Sequence, residues 1–129
     1  MTWTGDGSPL RRVDWTVRVV SIDVAERLVQ RFHYAGGAAN TATYLHGLFP
    51  AGSFWEQDCQ GVAWWIPPTK SAARALAGED GWGGVLALSR LAVDPAAPGN
   101  AATFLMASSM RLVNRARWPW FVTYADEWR

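Results

Sequence analysis

The sequence predicts an α+β fold, close to α/β in character, built on a mixed central sheet. Its 129 residues favour one domain, because two domains would leave each half too small for a good core. Half of the residues are hydrophobic and 18% are charged, which is typical of a packed globular protein. The clearest element is a nearly continuous apolar run over residues 85–93, as expected for a central strand covered on both faces.

The remaining elements follow from local patterns along the chain. Residues 1–12 are expected to be a flexible arm, and residues 13–129 a single domain. Asp23 and Glu26 stand at the spacing of a capping box and predict the start of the first helix. The predicted order is a strand at 15–20, a helix at 24–32, strands at 43–49 and 61–66, a short helix at 70–77, a strand at 85–93, a helix at 101–117 and a strand at 121–124.

The last three elements form a strand–helix–strand unit near residues 85–125, which predicts two parallel strands joined by a crossover helix. In such a unit, ligands bind beyond the carboxyl end of the first strand, at the N-terminus of the following helix. Gly99, Asn100 and Ala101 occupy that loop and helix start. They predict either an anion site or an ordinary turn with Asn100 as the helix N-cap.

Composition excludes several classes of protein. A formal net charge of +1 lacks the strong basic excess usual in nucleic-acid binders, although a local patch would suffice. The single cysteine, Cys59, excludes an internal disulfide framework and a cysteine-based zinc site, and predicts a reducing cytoplasm. No apolar run reaches the ~20 residues of a membrane span, so no membrane partner is expected.

A few polar residues stand where chemistry could occur. Arg90 interrupts the apolar strand, and a buried charge needs a partner, for which Asp126, a phosphate and a substrate carboxylate are the candidates. His33 and Tyr34 close the first helix, where a histidine is a base, a ligand or simply a helix cap. His46 lies in an apolar strand and is interpreted as structural.

Neighbouring tryptophans provide a further signal. Trp64 and Trp65 point to opposite faces of one strand, so at least one of them should be buried. Core packing is the favoured interpretation, with a stacking platform for a flipped base as the alternative.

Four segments together resemble the Mom family of phage proteins that modify adenine in DNA. They span about residues 15–126, and their order and spacing carry the resemblance. They are His33-Tyr34 after an amphipathic helix, Leu88-Ser89-Arg90-Leu91 with Val93-Asp94, the Pro98-Gly99-Asn100 loop before a helix, and Thr123-Tyr124-Ala125-Asp126. The family looks like a divergent branch of the GNAT acetyltransferase fold. Relative to it, this chain is expected to be C-terminally truncated and to lack a final helix and strands.

The resemblance implies an enzyme that adds a carbamoylmethyl group to adenine N6 in double-stranded phage DNA and so protects it from host restriction. His33, Tyr34, Arg90 and Asp126 match the functional positions of the family. The resemblance further implies acetyl-CoA, held by Arg90 and the loop residues 99–101, and iron, with His33, Tyr34 and Asp126 as ligands. The host cytoplasm is the implied location, and the oligomeric state stays open, with a dimer among the options.

Two other functions fit the sequence. One is a general GNAT N-acetyltransferase that acts on a small amine or a protein with acetyl-CoA. The other is an inactive, truncated binding module, for which the nine tryptophans would supply contact area.

Overall fold

The computed structural model describes residues 12–32 and 41–123. Five strands form one sheet in the order β1-β2-β3-β4-β5, with three antiparallel pairs and a parallel pair between β4 and β5. The elements are β1 (Trp15–Val19), α1 (Ile22–Phe32), β2 (Tyr44–Pro50), β3 (Gly61–Ile66), α2 (Lys70–Gly81), β4 (Val85–Val93), α3 (Ala101–Leu112) and β5 (Trp120–Thr123). The predicted α+β class, with its crossover from β4 through α3 to β5, is confirmed.

Two hydrophobic clusters cover the two faces of the sheet, because side chains alternate along each strand. On one face, here called the α1 face, α1 packs on Phe49, Val62 and Trp64. On the other, the α3 face, α3 packs on Leu48 and Trp65, among others. Neither helix is long and apolar enough to cross a membrane, and the same holds for α2, the third helix that the structure describes.

The start of α1 differs from the prediction. The capping-box prediction for Asp23 and Glu26 is wrong, because the hydroxyl of Ser21 accepts the hydrogen bond from the Val24 N–H at 3.3 Å. The helix therefore begins at Ile22. Both carboxylates lie inside it, with Asp23 in the first turn, where a negative charge suits the helix dipole.

The end of α3 also differs, since the helix stops at Leu112 and not near residue 117. Val113 is extended, with ψ at 140°, and the side-chain oxygen of Asn114 accepts a hydrogen bond from the Ala116 N–H at 3.0 Å. Asparagine stabilises turns in this way, so the chain leaves the helix at this point. Arg111 is therefore the basic residue in the last turn of α3, whereas Arg115 and Arg117 follow the helix.

Gly78 interrupts α2 directly after Ala77, the residue at which the short helix is predicted to end. Its φ is 78°, so α2 is kinked before its last residues. Because glycine adopts this left-handed conformation without steric cost, the helix bends there and continues to Gly81.

Candidate functional site

Arg90 lies at a β-bulge in the middle of the sheet. Trp64 pairs with Arg90, whereas the next residue, Trp65, pairs with Leu88, so Ser89 is the extra residue on β4. Residues that pair across neighbouring strands share a face, and Trp64 belongs to the α1 face. The bulge therefore directs Arg90 to the α1 face, and such bulges are common beside active sites, where they re-aim a side chain.

The environment of Arg90 fits a charged group at the border of the core. Arg90 is half-buried, and its Nη1 donates a hydrogen bond to the carbonyl of Ser89 at 2.8 Å. A half-buried guanidinium in an otherwise apolar strand is costly to place unless charge or hydrogen bonds compensate it. The predicted partner, Asp126, lies outside the described residues.

The segment that carries His33 and Tyr34 is attached to the sheet beside Trp64 at both ends. Before it, Phe32 ends α1 and packs against the cluster that contains Trp64. After it, the carbonyl of Thr41 accepts a hydrogen bond from Trp64 Nε1 at 3.0 Å. His33 and Tyr34 themselves lie outside the described residues, but both attachment points are on the face to which Arg90 is directed.

The strand that leads to Asp126 approaches the same place. Thr123, the last described residue of β5, pairs with Leu88, which precedes Arg90 by two positions on β4. Three residues of chain span at most about 10 Å. Of the four predicted functional residues, only Arg90 lies in the part of the chain that the structure describes, so the grouping of the four stays a prediction.

A comparison with models of known protein families shows to which family the chain belongs. The model of the Mom protein family matches residues 14–129. The chain belongs to the Mom family. No curated protein matches it. Membership of the Mom family indicates phage DNA modification, with DNA as the substrate.

The loop that precedes α3 in this Mom-family chain is closed by its own hydrogen bonds. Asp94 Oδ1 accepts from the Ala96 N–H at 2.9 Å, and the Pro98 carbonyl accepts from the Ala101 N–H at 2.9 Å. Asn100 occupies the N-cap position, as predicted, although its side chain makes no capping hydrogen bond.

These contacts bear on how the loop could hold a cofactor phosphate. Helix geometry leaves the N–H groups of Ala102 and Thr103 without an acceptor inside the helix. Gly99 is exposed, and a side chain there would meet open space, so a ligand has access to its backbone. Ala101 is fully buried and anchors the helix start. The loop therefore offers backbone donors and access, which is compatible with a phosphate.

A cleft that the sequence did not reveal lies where β4 ends. It has a volume of about 480 Å³, and Asp58 and Asp94 are among its lining residues. Phe54 and Trp55, from the loop between β2 and β3, also line it and are 87% and 66% exposed. A Gly52 turn with φ of 83° and a hydrogen bond from Arg18 Nη1 to the Ser53 carbonyl hold this loop. In the sequence, the adjacent aromatic residues Phe54 and Trp55 are the feature that could have indicated this cleft.

A buried polar trio on the α3 face is structural. Ser109 lies in α3, its hydroxyl accepts from Trp65 Nε1 at 2.8 Å, and it bonds His46 Nδ1. His46 and Ser109 are 1% and 0% exposed, so no substrate reaches them. Burial lowers the pKa of His46, which favours the neutral ring. The structural interpretation of His46 fits these contacts.

Within residues 12–32 and 41–123, no group of three histidine, cysteine, aspartate or glutamate side chains could hold a metal ion. The proposed ligands His33, Tyr34 and Asp126 are outside those ranges. Cys59 is buried, burial raises the pKa of its thiol, and its Sγ donates to the Gly61 carbonyl. A thiol held in its protonated form is a poor nucleophile.

Proposed function

We propose that the chain adds a carbamoylmethyl group to the N6 amine of adenine in duplex phage DNA and thereby protects it from host restriction. The family supports DNA modification, and the bulge at Ser89 is the observation that carries the site assignment. It directs a guanidinium to the face where the segment containing His33 and Tyr34 begins and ends. Asp126 comes three residues after β5, the strand that pairs in parallel with β4.

Each residue receives a role from its chemistry. Arg90 holds an anionic group or an acyl oxygen, because guanidinium binds such groups through two parallel N–H donors. His33 acts either as an iron ligand or as the base that accepts the proton leaving the amine. The N6 amine lies inside the duplex, so the adenine must flip out of the helix and enter a pocket where these groups surround it. Its lone pair is delocalised into the ring, which makes the amine a poor nucleophile.

Two cofactors belong to the proposal. Acetyl-CoA would be held by Arg90, Gly99, Asn100 and Ala101, in a GNAT-type arrangement that the parallel β4–α3–β5 crossover supports. Iron would be held by His33, Tyr34 and Asp126, three side chains of types that bind iron. When bound, iron would supply the redox chemistry that a carbon–nitrogen bond to a methylene needs and that simple acyl transfer does not provide.

Mass spectrometry of nucleosides from cells that express the protein tests the proposal. Wild-type protein should yield N6-carbamoylmethyl adenine, and the Arg90→Ala and Asp126→Ala variants should yield less by about a hundredfold. Arg27→Ala, an exposed change on α1, is the matched control and should leave the amount unchanged.

Two results would contradict the proposal. One is unmodified adenine in cells that contain folded wild-type protein. The other is equal adduct from the wild type and the Asp126→Ala variant, which would reject that carboxylate as essential. Acetylation of a small amine without DNA would instead support the general acetyltransferase.

A further inference from the structure

A surface rich in arginine and tryptophan lies where β4 and β5 begin. It consists of the first turns of α2, the turn that follows α2, and the segment between α3 and β5. We call it the cation–aromatic surface and define it by Lys70, Arg74, Trp82, Arg115, Arg117, Trp118 and Trp120.

The α2 half of this surface is organised around one indole ring. Lys70 Nζ lies 4.8 Å from the centroid of the Trp82 ring, and Arg74 Cζ lies 5.5 Å from it. Arg74 also forms a salt bridge with Glu79, with 3.2 Å between Nε and Oε1. A cation that rests on an aromatic ring is oriented while its outer side remains in water, so it is available to a second partner.

The other half is organised in the same way and is joined to the first. Arg117 Cζ lies 4.0 Å above the Trp118 ring, and its Nη1 donates to the Gly83 carbonyl at 2.7 Å, beside Trp82. Arg115 Cζ lies 4.4 Å from the centroid of the Phe121 ring. The exposed Trp120 lies beside Gly81 at the end of α2, so the two halves form one continuous surface.

Charge is concentrated on this side of the molecule. Residues 70–82 and 113–120 carry four cations and two carboxylates, whereas the rest of the chain carries eight cations and nine carboxylates. The cation–aromatic surface is therefore basic, although the net charge of the whole chain is small. Such a face attracts a polyanion, because its cations neutralise several phosphates at once and release the counterions of those phosphates.

We propose that the cation–aromatic surface binds the phosphate backbone of duplex DNA on one side of the modified base. The inference rests on the proposed function, since that function makes duplex DNA the substrate. Val85 begins β4 beside this surface and Arg90 is five residues further, or about 17 Å along the strand. That distance corresponds to about five phosphates along one DNA strand, so one duplex can contact both places.

Salt-dependent binding of a fluorescent duplex of random sequence tests the surface. The Arg115→Gln/Arg117→Gln double variant should lower the slope of log affinity against log salt by about 1.8, the value for two lost phosphate contacts. At about 0.1 M salt, its affinity should fall roughly tenfold or more. The Arg27→Gln/Arg31→Gln pair removes the same charge from exposed positions on α1 and should leave the slope unchanged.

Two further variants separate charge from folding, because Arg115 and Arg117 also donate hydrogen bonds to backbone carbonyls. Arg115→Lys/Arg117→Lys keeps the charge and should keep the slope, even if thermal unfolding shows a loss of stability. Lys70→Gln should lower the slope by about 0.9, the value for one contact.

Three results would contradict the proposed role of the surface. They are no duplex binding by the wild type at low salt, an unchanged slope in the Arg115→Gln/Arg117→Gln variant, and an equal decrease of the slope in the Arg27→Gln/Arg31→Gln variant. The adduct measurement keeps the two proposals apart. If the wild type forms the adduct and the Arg115→Gln/Arg117→Gln variant has an unchanged slope, the role of the surface is contradicted and the proposed function is not. A reduced slope with no adduct in the wild type supports the surface and contradicts the function.

Discussion

Trp64 and Trp65 are adjacent in β3 and both are 0% exposed, yet their indole N–H groups serve different purposes. On the α1 face, Trp64 bonds the carbonyl of Thr41, where the segment that carries His33 and Tyr34 rejoins the sheet. On the α3 face, Trp65 bonds Ser109 inside a closed core. Both indoles therefore fill the core, but only the hydrogen bond of Trp64 reaches the end of the segment that carries predicted site residues.

The largest expected effect tests whether the two tryptophans are equally buried. Trp64→Ala and Trp65→Ala should each lower the free energy of unfolding by about 3–5 kcal/mol, because each leaves a large cavity in a close-packed core. Urea unfolding monitored by circular dichroism measures both variants. A loss below about 1 kcal/mol at either position would show that its side chain does not fill the core.

The next effect concerns the polar trio of the α3 face. Ser109→Ala removes the hydroxyl that His46 and Trp65 share, and leaving buried groups unpaired should lower the free energy of unfolding by about 1–3 kcal/mol. Ser108→Ala is the matched control in the same helix turn. Ser108 is only half-buried and accepts a hydrogen bond from Arg111, so its change should stay within about 0.5 kcal/mol.

The contrast between these two serines shows what the sequence could and could not predict. Ser108 and Ser109 are adjacent in α3, and the structure buries Ser109, together with Ala101 and Leu105. A helix places residues four apart on one face, so Ala101 sets the buried row once the helix is known to begin there. Two neighbouring serines carry no signal that distinguishes them, and the choice depends on His46 and Trp65 from other strands.

The strands were predicted more accurately because their patterns are local. The apolar run of β4 and the opposite orientations of Trp64 and Trp65 are confirmed. The bulge at Ser89 could not be predicted, since it depends on the register between two strands and not on either sequence alone. The sequence identified Arg90 as an interrupting charge, and only the register shows which face it is directed to.

The pH dependence of stability tests whether the buried trio of His46, Ser109 and Trp65 is shielded from water. Burial lowers the pKa of His46 in the folded protein, whereas an unfolded histidine titrates near its ordinary value of about 6.5. Below that pH, the unfolded chain binds the proton more readily, so the free energy of unfolding should fall by up to about 1.4 kcal/mol per pH unit. This loss should continue until the folded pKa is reached.

His46→Gln is the control for this measurement, because glutamine does not titrate. Urea unfolding between about pH 7.5 and 5.5 should show a shallower loss of stability in this variant than in the wild type. The same slope in both proteins would show that His46 accepts a proton as easily when folded as when unfolded, and that the trio is open to water.

The smallest expected changes in stability come from replacing Trp64 or Trp65 with phenylalanine, and these two variants compare the two faces of the sheet most directly. Trp64→Phe and Trp65→Phe each remove one indole N–H and keep most of the buried ring, so each should lower the free energy of unfolding by about 1 kcal/mol. Their effects on adenine modification should differ. Trp64→Phe releases the Thr41 carbonyl beside the candidate site and should lower the adduct several-fold, whereas Trp65→Phe should leave it near the wild-type amount. Equal adduct from the two variants would mean that the site does not depend on the α1 face.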